Sequence, residues 1–172
     1  KARYTIDTDN DGHLDAIDLE YSLPLNDNLT GFTITVSDYV VDYVNTGTSQ
    51  NDSILRVHLI ESENYDTGNT PLVQVTSSPQ LEARFLPGML AQVDAHPELA
   101  IDAAKPVLYY SFATDNSIAV NGVDNDDAVY LYFSEPISPT ALNSSNIDDV
   151  LRLSTGHSWL DGGGFHNRRV CA

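Results

Sequence analysis

Apolar residues recur at every second position through most of this chain. That period suits half-buried strands and fits no helix. Ile17, Leu19 and Tyr21 alternate with Asp18 and Glu20, and Phe32, Ile34 and Val36 alternate with threonines. Ile54, Val57, Leu59 and Ile60 sit in a run rich in β-branched residues, and Leu72, Val73 and Val75 make a shorter one. Clusters of Asn, Asp, Gly and Ser over 26–28, 45–47 and 64–70, and the Asp11-Gly12 pair, supply turn chemistry between these runs. About seven short strands are expected before residue 87, the number a β-sandwich requires. Irregular apolar spacing around Pro87-Gly88 argues against a full helix over 81–95, and only 139–151 is predicted to hold a short helical turn, capped by Ser138 or Ser144. Residues 87–104 are rich in proline and alanine and poor in β-branched residues, which places a domain boundary near Ala103. Lys105-Pro106 then opens a new strand over 107–112.

Residues 7–18 read Asp-Thr-Asp-Asn-Asp-Gly-His-Leu-Asp-Ala-Ile-Asp. Asp7, Asp9, Asp11, Asp15 and Asp18 occupy positions 1, 3, 5, 9 and 12 of a twelve-residue calcium loop. Gly12 stands at position 6, where the loop turns sharply, and His13 at position 7, where only a backbone carbonyl is needed. Five carboxylates so close together repel one another unless a hard cation sits among them. Asp7, Asp9, Asp11, His13, Asp15 and Asp18 are therefore the candidate ligands, and Ca²⁺ is the expected ion. The alternative is a solvated acidic turn. Position 12 is usually Glu; Asp18 is one methylene shorter and would bind through one oxygen or through water. Weak affinity, about 10⁻⁴ to 10⁻³ M, suits such a loop.

The 172 residues include 25 acidic and 8 basic side chains, a net charge of −17. Nucleic-acid binding needs a basic footprint, and docking on anionic membranes needs the same. Both are excluded as expectations, and a calcium-rich extracellular setting is favoured, although acidity also serves solubility alone. No apolar run reaches membrane-spanning length. The chain opens Lys1-Ala2-Arg3 straight into a strand pattern, so no signal peptide is expected in it, and it reads as a mature product or a fragment. Cys171 is the only cysteine, so no internal disulfide forms.

Ala16-Ile-Asp-Leu-Glu-Tyr-Ser-Leu-Pro-Leu25 returns 112 residues later as Ala128-Val-Tyr-Leu-Tyr-Phe-Ser-Glu-Pro-Ile137. An acidic loop precedes each copy, 7–15 in one and 124–127 in the other. The separation matches one immunoglobulin-sized sandwich. With Asp66-Thr-Gly-Asn-Thr-Pro71, Asp102-Ala-Ala-Lys-Pro106, Phe133-Ser-Glu-Pro-Ile137 and His157-Ser-Trp-Leu-Asp161, the chain resembles the tandem bacterial immunoglobulin-like repeats of secreted and cell-surface proteins. The acidic loop resembles the calcium loops of dockerins and thrombospondin-type repeats. The resemblance implies an all-β chain of two tandem immunoglobulin-like sandwiches, residues 1–103 and 104–172. The second is expected to be incomplete, because a full sandwich needs roughly thirty more residues. It further implies a non-catalytic structural or adhesive repeat of a large secreted or surface-anchored bacterial protein. Its partners would be neighbouring repeats and a cell-surface glycan or protein.

A carbohydrate-binding accessory module of an extracellular enzyme is the rival reading. It requires exposed aromatics grouped on one face, and Tyr109, Tyr110, Tyr130, Tyr132 and Trp159 are the candidates. Catalysis finds little support. The five histidines lack metal-ligand spacing, and no nucleophile elbow or phosphate loop occurs.

Overall fold

The computed structural model describes residues 1–114, 128–138, 145–146 and 149. The chain divides into two compact units, Lys1–Val107 and Leu108–Ala172. Every secondary-structure element named among the described residues is a strand: β1 (Ala2–Ile6), β2 (Ala16–Glu20), β3 (Thr33–Val36), β4 (Val40–Asn45), β5 (Ile54–Ile60), β6 (Leu72–Ser77), β7 (Glu98–Leu99), β8 (Leu108–Thr114) and β9 (Ala128–Phe133).

The first unit is a sandwich of two antiparallel sheets, one ordered β1-β2-β5-β4 and the other β3-β6-β7. Alternation explains its core. Ile17 and Leu19 of β2, and Leu55, Val57 and Leu59 of β5, point inward from the first sheet. Val36, Val73 and Val75 meet them from the second. Leu25, Leu81 and Ala100 complete the same cluster. Fully burying a side chain of this size contributes roughly 1.5–3 kcal/mol, so the pattern in the sequence is also the source of cohesion.

Two strands lie where the sequence shows no alternating run. β4 has an irregularity between Val41 and Tyr43, which shifts the pairing register and hides the period of two. β7 falls inside the proline- and alanine-rich stretch over 87–104. There Glu98 and Leu99 pair with β6, while the Thr5 amide donates to the Ile101 carbonyl at 3.0 Å and the Ile101 amide to the Arg3 carbonyl at 2.7 Å. The segment thus joins β6 of one sheet to β1 of the other and closes that flank of the sandwich. Residues 81–91 are held by isolated bridges, Leu25 to Ala83 and Glu82 to Leu90.

In the second unit β8 and β9 form an antiparallel ribbon. Thr114 pairs with Ala128 as Ile6 pairs with Ala16 in the first unit, so the repeated sequence occupies the same hairpin position in both. The second acidic loop, the segment around Trp159 and most of the turn expected over 139–151 lie outside the described residues.

Candidate metal centre

The acidic loop connects β1 to β2. Its ends are tied by the sheet: the Asp15 amide donates to the Ile6 carbonyl at 3.0 Å, and the Leu59 amide to the Asp15 carbonyl at 2.7 Å. Its interior is turned by its own carboxylates. Asp7 accepts the Asn10 amide at 2.7 Å and the Gly12 amide at 3.0 Å, one on each oxygen. Asp9 accepts the Asp11 amide at 3.2 Å, and Asp11 accepts the His13 amide at 2.9 Å. Asn10 and Gly12 both adopt positive φ, 62° and 101°. Asparagine tolerates that region, and glycine enters it without a side-chain clash.

Asp7, Asp9 and Asp15 come together, with ligand oxygens all within 4.8 Å of one another, and could hold a metal ion. Oxygens on one calcium at 2.3–2.6 Å lie no more than about 5 Å apart, so the donor set fits a hard divalent cation. Bare charges at this spacing repel even in water. Lost hydration, then the charges of Asp11 and Asp15, push the Asp9 carboxyl above its ordinary range. Burial opposes ionisation of Asp15. Hydrogen bonds from the Thr8 hydroxyl and amide, and from Glu61, outweigh it and hold Asp15 below its ordinary value.

The side chains of Asp11, His13 and Asp18 lie outside this trio. Asp11 stays close enough to act on Asp9 by charge, while its Oδ1 is engaged by the His13 amide. His13, expected to offer only its backbone carbonyl, places its ring with Nδ1 3.0 Å from the Asn64 carbonyl and stacked on Tyr65 at 4.9 Å. Asp18 lies in β2, where both oxygens receive the Arg56 guanidinium, at 2.7 and 2.8 Å. The pairing register sets Asp18 directly beside Arg56, so the fork occupies a carboxylate that the twelve-residue pattern assigns to the ion.

Two residues outside the motif brace the acidic loop. Glu61, one residue past β5, hydrogen-bonds Asp15; that bond, then lost hydration and the nearby acidic charges, raises its carboxyl above the ordinary value. Asp66, for which the sequence allows either a carboxylate lent to an inter-strand site or, more simply, a turn, is buried. It accepts the Leu14 amide at 2.8 Å, the Tyr39 hydroxyl at 2.6 Å and the Ser62 hydroxyl at 2.8 Å, and its own amide donates to the Gly12 carbonyl at 3.0 Å. The loop between β5 and β6 therefore clamps the metal loop from outside. Nothing in the local spacing of residues 7–18 signals either partner.

Among the described residues no helix is long and apolar enough to cross a membrane. No family model, curated protein or solved structure matches the chain.

Proposed function

We propose that this chain is a calcium-stiffened, non-catalytic structural repeat that works outside the cell, as a spacer or adhesive module beside similar repeats. The observation that carries this reading is the convergence of Asp7, Asp9 and Asp15 oxygens within 4.8 Å on a loop clamped by Asp66. The donors are carboxylates, the class that calcium prefers, and further coordination would come from backbone carbonyls or water. Neutralising the trio fixes the connection between the first two strands of the sandwich, which is a mechanical role and needs no chemistry of bond making. The net charge of −17 suits a medium rich in divalent cations.

Isothermal titration of the folded chain with CaCl₂ tests it. Heat with a 1:1 stoichiometry for the Lys1–Val107 unit, lost in Asp9→Asn, is expected. Absence of heat with millimolar calcium on well-folded protein would sink the proposal, and equal heat with Asp9→Asn would move the ion elsewhere.

A further inference from the structure

Between the isolated bridges at Ala83 and Leu90 the chain leaves the sandwich and returns to it. All seven residues from Arg84 to Leu90 are exposed, Phe85 by 72%. None of the seven belongs to the buried core. The loop is tied mostly to itself. The Leu86 amide donates to the Ala83 carbonyl and the Met89 amide to the Leu86 carbonyl, both at 3.0 Å, while the Arg84 amide reaches the Pro24 carbonyl at 2.8 Å. Exposed backbone bonds with little apolar burial beneath them open locally at small cost while the sheets stay folded.

Arg84 stands apart from the other four basic residues of the first unit. Arg3 is 3% exposed inside β1. Arg56 lies in β5, an interior strand of its sheet, with its guanidinium on Asp18. The Lys1 amine is paired with Asp94 at 2.9 Å. Lys105 is followed by Pro106, whose ring obstructs proteases that cut after a basic residue. An exposed arginine followed by an exposed phenylalanine, in a loop that opens without disturbing the core, offers such a protease both its side chain and its peptide bond.

Both flanks of the loop are pinned. Upstream, Leu81 and Ala83 are buried, and the Leu81 carbonyl accepts the Ala91 amide at 2.7 Å. Downstream, Asp94 accepts the Val75 amide and pairs with Lys1 and Arg3, β7 pairs with β6, and the Ile101 amide donates to the Arg3 carbonyl. A chain cut between these anchors keeps both pieces in the sandwich. We propose that the Arg84–Phe85 peptide bond is a processing site for a trypsin-like protease, and that the cleaved unit persists as a two-piece fold. Water adds across the C–N bond: its hydroxyl goes to the Arg84 carbonyl carbon and its hydrogen to the Phe85 nitrogen. The new carboxylate and ammonium form where solvent reaches them, so neither charge is buried. The site stands independently of the calcium loop, which joins β1 to β2 at the other end of β2.

Brief digestion of the full chain with trypsin tests it, read by mass spectrometry and by size exclusion without denaturant. Within residues 1–107 the first cut is expected after Arg84, and the 1–84 fragment should co-elute with the piece that begins at Phe85. Arg84→Gln should abolish that cut and Arg84→Lys should keep it, both with the thermal midpoint of the parent. The rate of cutting should stay nearly flat in urea below the unfolding transition, because local opening exposes little new surface. The proposal falls if Arg3 or Arg56 is cut first, if residues 1–107 are not cut, or if Arg84→Gln is cut there as fast as the parent. It also falls if the rate climbs with urea in step with global unfolding, or if the two pieces separate on the column.

Discussion

The buried carboxylate of Asp66 accepts the amide of Leu14, 52 residues earlier in the chain, at 2.8 Å. The same carboxylate holds the Tyr39 and Ser62 hydroxyls. Burial, and then the bond to Asp66, raise the Tyr39 phenol well above its ordinary range. Asp66→Ala would strand the Leu14 amide and the Tyr39 hydroxyl around a cavity, while the Ser62 hydroxyl keeps the Asn64 carbonyl at 2.6 Å. A loss of on the order of 3 kcal/mol is expected, read as a lowered denaturant midpoint, with weaker calcium binding because Leu14 loses its anchor. An unchanged midpoint would show that the clamp is dispensable.

Calcium that binds the folded state alone stabilises it by about 2.7 kcal/mol at a hundredfold excess over Kd. The thermal midpoint of the parent chain should therefore rise by roughly 10 °C in excess calcium and fall back in EDTA. Asp9→Asn should melt at the same temperature in both. Asp9 is the right position for this test because it is exposed and its carboxylate accepts the amide of Asp11, two residues on.

Under the proposed function, Glu61 would give calcium binding a pH dependence. The hydrogen bond to Asp15, followed by lost hydration and the surrounding acidic charges, raises its carboxyl above the ordinary 4.5. A bound dication opposes that proton, so binding releases it, and affinity drops as pH falls into the range just above 4.5. Titrations in buffers of different ionisation enthalpy should report proton release on the acid side of neutrality. Glu61→Gln should reduce it; release unchanged in that variant would exclude Glu61 as its source.

Asp18 separates the sheet from the ion. Its two-point pair with Arg56 is partly buried, with side-chain exposures of 13% and 17%. The Arg56 guanidinium is held above its ordinary value chiefly by this bond. Asp18→Asn should cost about 1–2 kcal/mol in the denaturant midpoint and leave the calcium Kd unchanged. A tenfold change in Kd would return Asp18 to the ligand set.

Asp94 links stability to acid. Burial resists its ionisation. The Val75 amide at 2.8 Å, Lys1 at 2.9 Å and Arg3 at 2.8 Å overcome this and hold its carboxyl below the ordinary 3.8. A carboxyl depressed in the folded state contributes stability that is present above the unfolded value and lost as pH falls through the folded one. Unfolding midpoints should therefore decline steeply below pH 3.8, and Asp94→Asn should flatten that decline while lowering the midpoint at neutral pH. An equally steep decline in the variant would assign the acid sensitivity to other carboxylates.

The alternation of Ile17, Leu19, Leu55, Val57, Val73 and Val75 was enough to announce an all-β chain with a two-sided core. Residue period is a local property that one face of a strand imposes on its own sequence. The convergence of Asp7, Asp9 and Asp15 was legible for the same reason: their backbone positions span nine residues of one turn. Tertiary structure alone decided the rest. Register set Asp18 against Arg56, 38 residues away, and the β5–β6 crossover delivered Glu61 and Asp66 to the loop. It also turned Glu98 and Leu99 into a strand by presenting them to the open edge of β6. Each of these depends on which segments meet across the fold, and local spacing carries no record of that. A carboxylate's partner is fixed by whichever donor the packed sheets bring nearest.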